Sequence, residues 1–175
     1  KSPQKEIPSC VLCSGMKEQV LFVKGLFDTD GHYEEENRTI VWDMSSYKLL
    51  QQLQLILANI GLVGRLTELN KGGEYWRLQY SGSDANLLCK LVLPEKYDDT
   101  YRTSPRGLER ESRKIFYGDG RYIFEDKVVS IETAEGGEFL DFTVKNIPNY
   151  VANGLVVHNS MVSQILRDTA QPITQ

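Results

Sequence analysis

The sequence predicts an α+β protein. Apolar residues recur at helical spacing in three stretches between residues 14 and 93. Strand-like segments with period-two alternation and a Gly-Gly turn lie between those stretches. Beyond about residue 120 only strand-like segments follow. The resulting order is helix, strand, helix, hairpin, helix, then strands, with helices and strands segregated rather than alternating as βαβ units.

Each element has a local reason. Residues 1–13 read as an extended lead-in because Pro3 and Pro8 oppose helix. Ser14 can cap a helix through GMKEQVLFVKGLF, whose Val20, Val23 and Phe27, with Leu21 and Leu26, form a broad apolar surface. The turn-rich DTDG, Asp28 to Gly31, is expected to end it. RTIVWDM is a strand. SSYKLLQQLQLILANIG is a second helix, capped by Ser45 or Ser46, with Leu50, Leu53, Leu57 and Ile60 on one face and Gly61 as its C′ residue. LVGRLTELNKGGEYWRLQYSG alternates on both sides of Lys71-Gly72-Gly73 and predicts a hairpin. SDANLLCKLVL is a short third helix. EKYDDTYRTSPRGLERESRK is polar and basic, a linker or exposed arm. RYIFEDKVVSIETAEGGEFLDFTVKN predicts two strands around Gly136-Gly137, and YVANGLVVHN a last short strand.

The bulk properties bound the function. A length of 175 residues suits one medium domain or two small ones, and 41% hydrophobic with 25% charged residues is ordinary for a globular protein. A formal charge of −4 opposes a generally basic nucleic-acid binder but leaves room for a local basic face. No apolar run reaches the roughly 18–20 residues that span a membrane, so no membrane partner is expected. The first residues, KSPQKEIPSC, lack the apolar core of a signal peptide. Three cysteines do not suggest a disulfide framework, and a cytoplasmic setting is the expectation. Cys10 and Cys13, in CVLC, lack the second ligand pair that zinc needs and the βαβ context of a redox pair, so both are expected to be buried structural residues.

Chemistry concentrates at two places. In FVKGLFDTDG, a strongly apolar helix runs into two acids, Asp28 and Asp30. Acids oppose the helix dipole at a C-terminus, and a divalent cation would compensate. Mg²⁺ takes carboxylate oxygens while keeping several waters, which suits phosphodiester chemistry. Gly25, in mid-helix, costs about 1 kcal/mol relative to Ala, a cost that close approach of another helix would justify. The residues alone also fit a buried helix followed by an Asp-rich turn. The second place is HNS at 158–160. The Asn159 side-chain nitrogen can attack its own carbonyl carbon, closing a succinimide and cutting the chain before Ser160. His158 can act as general acid, and Ser160 offers a hydroxyl nucleophile. Taken alone, HNS also fits a plain strand end.

Both segments resemble known families. VKGLFDTDG, Val23 to Gly31, resembles the LAGLIDADG motif of homing endonucleases, with KEIP (Lys5 to Pro8) resembling the lysine block before it and LLQQLQLILANIGLVGRL the helix block after it. The resemblance spans about residues 4–93. It implies that Asp30 is the metal-binding catalytic aspartate, that Asp28 is mainly structural, that Gly25 lies at a helix–helix interface, and that Lys5 stabilises charge at the cleaved phosphate. For Lys5, a solvated lysine stays an open alternative. It also implies a sheet in the DNA major groove, built from 39–44 and the hairpin 66–81, with Arg38, Arg65, Lys71, Arg77 and Gln79 as candidate contacts. Arg102, Arg106, Arg110, Arg113 and Lys114 are the phosphate-tracking candidates, or else part of a solvated linker.

VVSIETAEGGEFLDFTVKNIPNYVANGLVVHNS resembles the C-terminal splicing blocks of an intein, a Hint-type domain. The resemblance implies that His158 assists cyclisation, that Asn159 ends the intein, that Ser160 is the acceptor nucleophile in the C-extein, and that Asp141 matches the aspartate of the preceding block. Pro148 stands where many inteins carry His, and His32 should not substitute. The expected organisation is a lead-in 1–13, an endonuclease repeat 14–93, a basic arm 94–120, a splicing segment 121–159 and host sequence 160–175, from a prokaryotic, archaeal or viral host. The expected partners are double-stranded DNA at a long, rare site and an N-terminal intein segment carrying a Cys or Ser nucleophile and a second motif. Lys1 cannot perform the first acyl shift, so the chain is expected to be a C-terminal piece. The rivals are a free-standing homodimeric endonuclease, a splicing-only half whose nuclease is inactive, and a non-catalytic DNA-binding module.

Overall fold

The fold was analysed in a computed structural model, which describes residues 3–69, 72, 74–102, 114–117, 121–124, 128, 130–133, 149–152 and 155–158. The chain divides into two compact units, 1–127 and 128–175.

In the first unit, Pro8 opens a single helical turn, α1 (Ser9–Leu12), in place of an extended lead-in. Proline suits this position because its missing N–H lies where a helix has no partner for it. The turn directs Val11 and Leu12 against the core and leaves Cys10 and Cys13 exposed and unbonded, correcting the expectation that both are buried. Cys89 is buried, and burial raises its thiol pKa. Brief treatment of the native protein with iodoacetamide is therefore expected to add two groups, at Cys10 and Cys13. Cys89 should react only after denaturation, as read by intact mass and peptide mapping.

Helix α2 (Met16–Asp30) is capped by Gly15, not Ser14, whose hydroxyl donates instead to the Val11 carbonyl at 2.7 Å. Gln19 ties α2 to α1 through the Leu12 carbonyl at 3.1 Å. The helix does not stop before the acids. It runs through Asp28, Thr29 and Asp30 and passes directly into strand β1 (Gly31–Glu34), which corrects the turn expected there. The Thr29 hydroxyl lies 3.2 and 3.3 Å from the Gly25 and Leu26 carbonyls of the preceding turn. Gly31 makes the sharp switch possible, because a Cβ there would sit 2.8 Å from the Phe27 Cα.

Strand β2 (Thr39–Met44) leads to α3 (Tyr47–Asn59), capped by Ser46, whose Oγ accepts from the Leu49 amide at 3.2 Å. The C-terminus of α3 closes as a Schellman motif. Gly61 has φ +85°, its N–H donates to Ala58, and the Leu62 N–H donates to Leu57. Leu62 and Leu57 are both buried, completing the motif's apolar contact. Gly61→Ala is expected to cost about 1–2 kcal/mol because any Cβ is strained there, read as a lower denaturant midpoint at unchanged slope.

The hairpin β3 (Arg65–Glu68) and β4 (Trp76–Tyr80) forms where expected and is followed by α4 (Gly82–Val92) and a 3₁₀ turn, Pro94–Lys96. The four strands make one antiparallel sheet in the order β1-β2-β4-β3. Ile40 and Trp42 of β2 and Leu78 and Tyr80 of β4 share a core with Val23 and Phe27 of α2, Leu50, Leu53 and Leu57 of α3, and Leu88 of α4. Phe27, Trp42 and Tyr80 stack edge to face in sequence, at centroid distances of 5.7 and 6.3 Å, which fixes the C-terminal half of α2 on the sheet. A further strand, β5 (Lys114–Tyr117), pairs with β6 (Arg121–Phe124), so the basic stretch expected to be a linker ends in a strand.

In the second unit, YVANGLVVHN is a hairpin rather than one strand. Strand β7 (Asn149–Ala152) pairs with β8 (Leu155–His158), with Ala152 opposite Leu155 and only Asn153-Gly154 between them. Val151, Leu155 and Val156 are exposed. Of the segment expected to form two strands around Gly136-Gly137, residues 121–124 are β6, residues 128 and 130–133 are not in a strand, and the rest lies outside the described residues. No helix among the described residues is long and apolar enough to cross a membrane.

Candidate functional site

The site is organised around the end of α2. Asp28 and Asp30 are both exposed on its last turn, and no basic residue shares that turn. The Thr29 hydroxyl donates to Asp30 Oδ2 at 3.0 Å. The helix buries Val23 and Phe27, while Leu21, Gly25 and Asp28 form an exposed stripe at i, i+4 and i+7. Leu21 is 69% exposed, and among the described residues no atom beyond the helix's own backbone and the chain neighbours of Gly25 would lie within 4 Å of a Cβ on that glycine. Among the described residues, the helix therefore presents an open face with a small residue at its centre and an acid at its end. Among the described residues, no cluster of three or more His, Cys, Asp or Glu side chains could hold a metal ion. The oxygen donors of Asp30 are nevertheless the hard ligands that Mg²⁺ prefers, and that ion needs only one or two protein carboxylates because it retains water.

The lead-in is anchored onto α3. The Ile7 N–H donates to Gln52 Oε1 at 2.7 Å, the Ser46 hydroxyl donates to the Lys5 carbonyl, and Ile7 itself is buried. Lys5 is exposed.

The second face of the sheet, away from the helices, carries His32, Glu34, Thr39, Asp43, Arg65, Thr67, Arg77 and Gln79. Of the expected DNA contacts, Arg65, Arg77 and Gln79 share this face, and Arg65 and Gln79 stand directly opposite each other. Arg77 is already engaged. Its Nε and Nη2 donate to the two oxygens of Asp43 at 2.8 and 2.7 Å, and its Nη1 donates to Glu34 Oε1 at 3.1 Å. Hydrogen bonding to Asp43 is the main cause that raises the Arg77 pKa, with the charges of Asp43 and Glu34 adding to it. Glu34 also accepts from Thr39 at 2.9 Å and lies 3.6 Å from His32. The guanidinium thus reaches across β2 at the level of Val41, which is fully buried although it points away from the main core.

Arg38 lies apart, in the β1–β2 turn at φ +50°, paired with Asp98 at 3.5 Å. Asp98 is fixed to α4 by reciprocal hydrogen bonds with Asn86, and the Thr100 hydroxyl, followed by its amide, holds the Asp98 carboxyl below the usual carboxylate range. Arg102 is exposed and donates to the Thr100 and Tyr101 carbonyls. Lys71, Arg106, Arg110, Arg113, Asp141, Asn159 and Ser160 lie outside the described residues, and His158 is described only as the last residue of β8.

Sequence reasoning did not find Glu34 and Asp43. Asp43 was legible as the alternate of Thr39 and Val41 in TIVWDM, but its partner needed the β2–β4 register. Glu34 was hidden because the sequence of β1 reads as turn.

The acid-ended helix and the antiparallel sheet with a polar outer face lie within the stretch that a family model matches. Residues 17–91 match the family model of the LAGLIDADG-like domain. Among curated proteins, a DNA polymerase of Thermococcus kodakarensis is similar at 24% identity over 151 residues, covering 82% of this chain but 9% of the polymerase. Among solved structures, the crystal structure of I-DmoI in complex with DNA and Mn is similar at 20% identity and a TM-score of 0.43, over 49% of this chain and 47% of that one.

Proposed function

We propose that the LAGLIDADG-like domain is one half of a metal-dependent endonuclease acting on double-stranded DNA. The observation that carries this reading is the end of α2, with an exposed Asp30 at the close of a helix whose outer stripe, Leu21, Gly25 and Asp28, packs against nothing described in this chain. A second acidic helix, from another copy or another segment of the same protein, would dock along Gly25 and bring a second aspartate beside Asp30. Asp30 would hold Mg²⁺, which when bound lowers the pKa of water and neutralises charge on the phosphate. Lys5, on the lead-in fixed to α3, is assigned to the departing phosphate oxygen. The polar sheet face, with Arg65, Arg77 and Gln79, is assigned to the major groove. Arg38 and Arg102, with Lys71, Arg106 and Arg110, are assigned to phosphates and flanking bases.

The test is incubation of the full chain, alone and reconstituted with a supplied segment carrying a second acidic helix, with a pool of duplexes carrying a long randomised segment, with Mg²⁺ and with chelator. The expected result is metal-dependent cleavage within a narrow sequence class. Cleavage that is equal in both conditions, or absent from the reconstituted protein, rejects the reading.

We also propose that residues 121–159 complete protein splicing, through Asn159 cyclisation assisted by His158, with Ser160 as acceptor and Asp141 in support. The exact HNS triplet at the end of a paired apolar strand supports this, as do the exposed Val151, Leu155 and Val156, which an N-terminal splicing segment would cover. The match to 9% of a polymerase has the proportion of an inserted element to its host.

A further inference from the structure

We infer that Cys10 and Cys13 form a reversible dithiol–disulfide site that exchanges with small-molecule disulfides of the glutathione class. The inference goes beyond the nuclease and splicing readings and rests on neither.

Exposure, helical phase and spacing carry it together. Both thiols are free and exposed, whereas Cys89 is buried. Free cysteine is among the most buried residue types, so two exposed thiols three positions apart call for a reason. Both stand on the single turn of α1 and its cap. A helix advances about 100° per residue, which puts residues i and i+3 about 60° apart around the axis. Val11 and Leu12, between them, are partly buried and pack against the core. The Val11 carbonyl accepts from the Ser14 hydroxyl at 2.7 Å and the Leu12 carbonyl from Gln19 Nε2 at 3.1 Å, so the core side of the turn is anchored. The two thiols therefore share the side of the turn opposite its core contacts. On such a turn their α-carbons lie about 5 Å apart, within the disulfide range of about 4.4–6.8 Å. Helical β-carbons at this spacing lie about 5–6 Å apart and a disulfide holds them at about 3.5–4.5 Å, so closure draws Cys13 toward Cys10 by about 1–2 Å. Because α1 is one turn long and Cys13 is its cap, that tightening disturbs no continuing helical ladder. Structural zinc would need four ligands, and among the described residues no third His, Cys, Asp or Glu joins the pair in a metal-holding cluster. A disulfide needs only the two sulfurs present. In the step, one thiolate attacks a sulfur of the small disulfide, forming a mixed disulfide and releasing one small thiol. The second thiolate attacks the protein sulfur of that mixed disulfide and releases the other. The protein gives up two electrons and two protons, and the small disulfide takes them as two thiols.

The test treats the full native chain, reduced and then freed of reductant, with oxidised glutathione, and reads intact mass and peptide maps after an acid quench. The expected wild-type result is the loss of two hydrogens, no lasting glutathionyl group, and a Cys10–Cys13 link within one chain. Iodoacetamide should then add nothing to the native protein until dithiothreitol restores both thiols. Cys10→Ser and Cys13→Ser should each keep one glutathionyl group, because the thiol that would displace it is gone. Both positions are exposed, so thermal melts of the variants should match wild type. Wild-type protein that keeps two glutathionyl groups overturns the inference, by making the cysteines independent thiols. Links between chains that persist on dilution, in place of the internal link, overturn it as well. So does a native chain that stays reduced, or one that closes the link only in denaturant, since the folded turn would then not present the pair.

Discussion

Asp30→Asn is expected to abolish the proposed metal-dependent DNA cleavage and to leave the fold intact. The side chain is exposed at the end of α2, and its one described side-chain hydrogen bond comes from neighbouring Thr29. Its removal therefore changes stability within about 0.5 kcal/mol. It even relieves an acid at the unfavourable end of the helix dipole. Asparagine keeps size and shape but offers a neutral oxygen in place of an anionic ligand. Loss of that ligand forfeits several kcal/mol of transition-state stabilisation, so cleavage should fall by about 10³-fold or more. Binding to the same duplex should persist, since the sheet face is untouched. The measurement is single-turnover cleavage beside a thermal melt. A variant that cuts at the wild-type rate would remove Asp30 from the chemistry.

The second large effect concerns the other end of the chain. Asn159→Ala is expected to stop release of residues 160–175 completely. In the proposed step the Asn159 amide nitrogen bonds to its own carbonyl carbon, the bond to Ser160 breaks, and Ser160 leaves with a free amine. Alanine has no such nitrogen. His158→Ala should slow the same step by about 10²–10⁴-fold, the usual contribution of a positioned general acid, without preventing it. Intact mass over time reads both. A wild-type chain that neither releases the segment nor ligates it to a supplied N-terminal splicing segment would reject the splicing role.

Much of the fold is legible in the residues because it rests on local chemistry. Helix α3 announces itself through Ser46 as cap, a Leu stripe and Gly61 as C′ residue, and each takes the place that its side chain or missing side chain dictates. The β3–β4 hairpin follows from alternation around a Gly-rich turn. What fails to show is set by tertiary context. The sequence DTDG reads as turn because its residues favour turns, yet Phe27 stacks on Trp42 and holds this end of the helix on the sheet, so the helix continues. That misreading hides β1 and with it Glu34. The clamp on Arg77 is illegible for a related reason: its three charged residues are up to 43 positions apart and meet only through strand register. By contrast, the acidic motif and the mid-helix glycine are plain in the sequence as residue types, because neither depends on a distant partner for its chemistry.

The loop-free junction at Asp30–Gly31 has a mechanical consequence. A helix advances about 100° per residue and a strand about 180°, and here nothing lies between them to absorb a mismatch. The bearing of the Asp30 carboxylate and the parity of His32 and Glu34 are therefore set by a single phase relation. One inserted residue would put Tyr33 where His32 and Glu34 now point. The part of the molecule assigned to cutting and the part assigned to reading are geared together, and neither can drift without carrying the other.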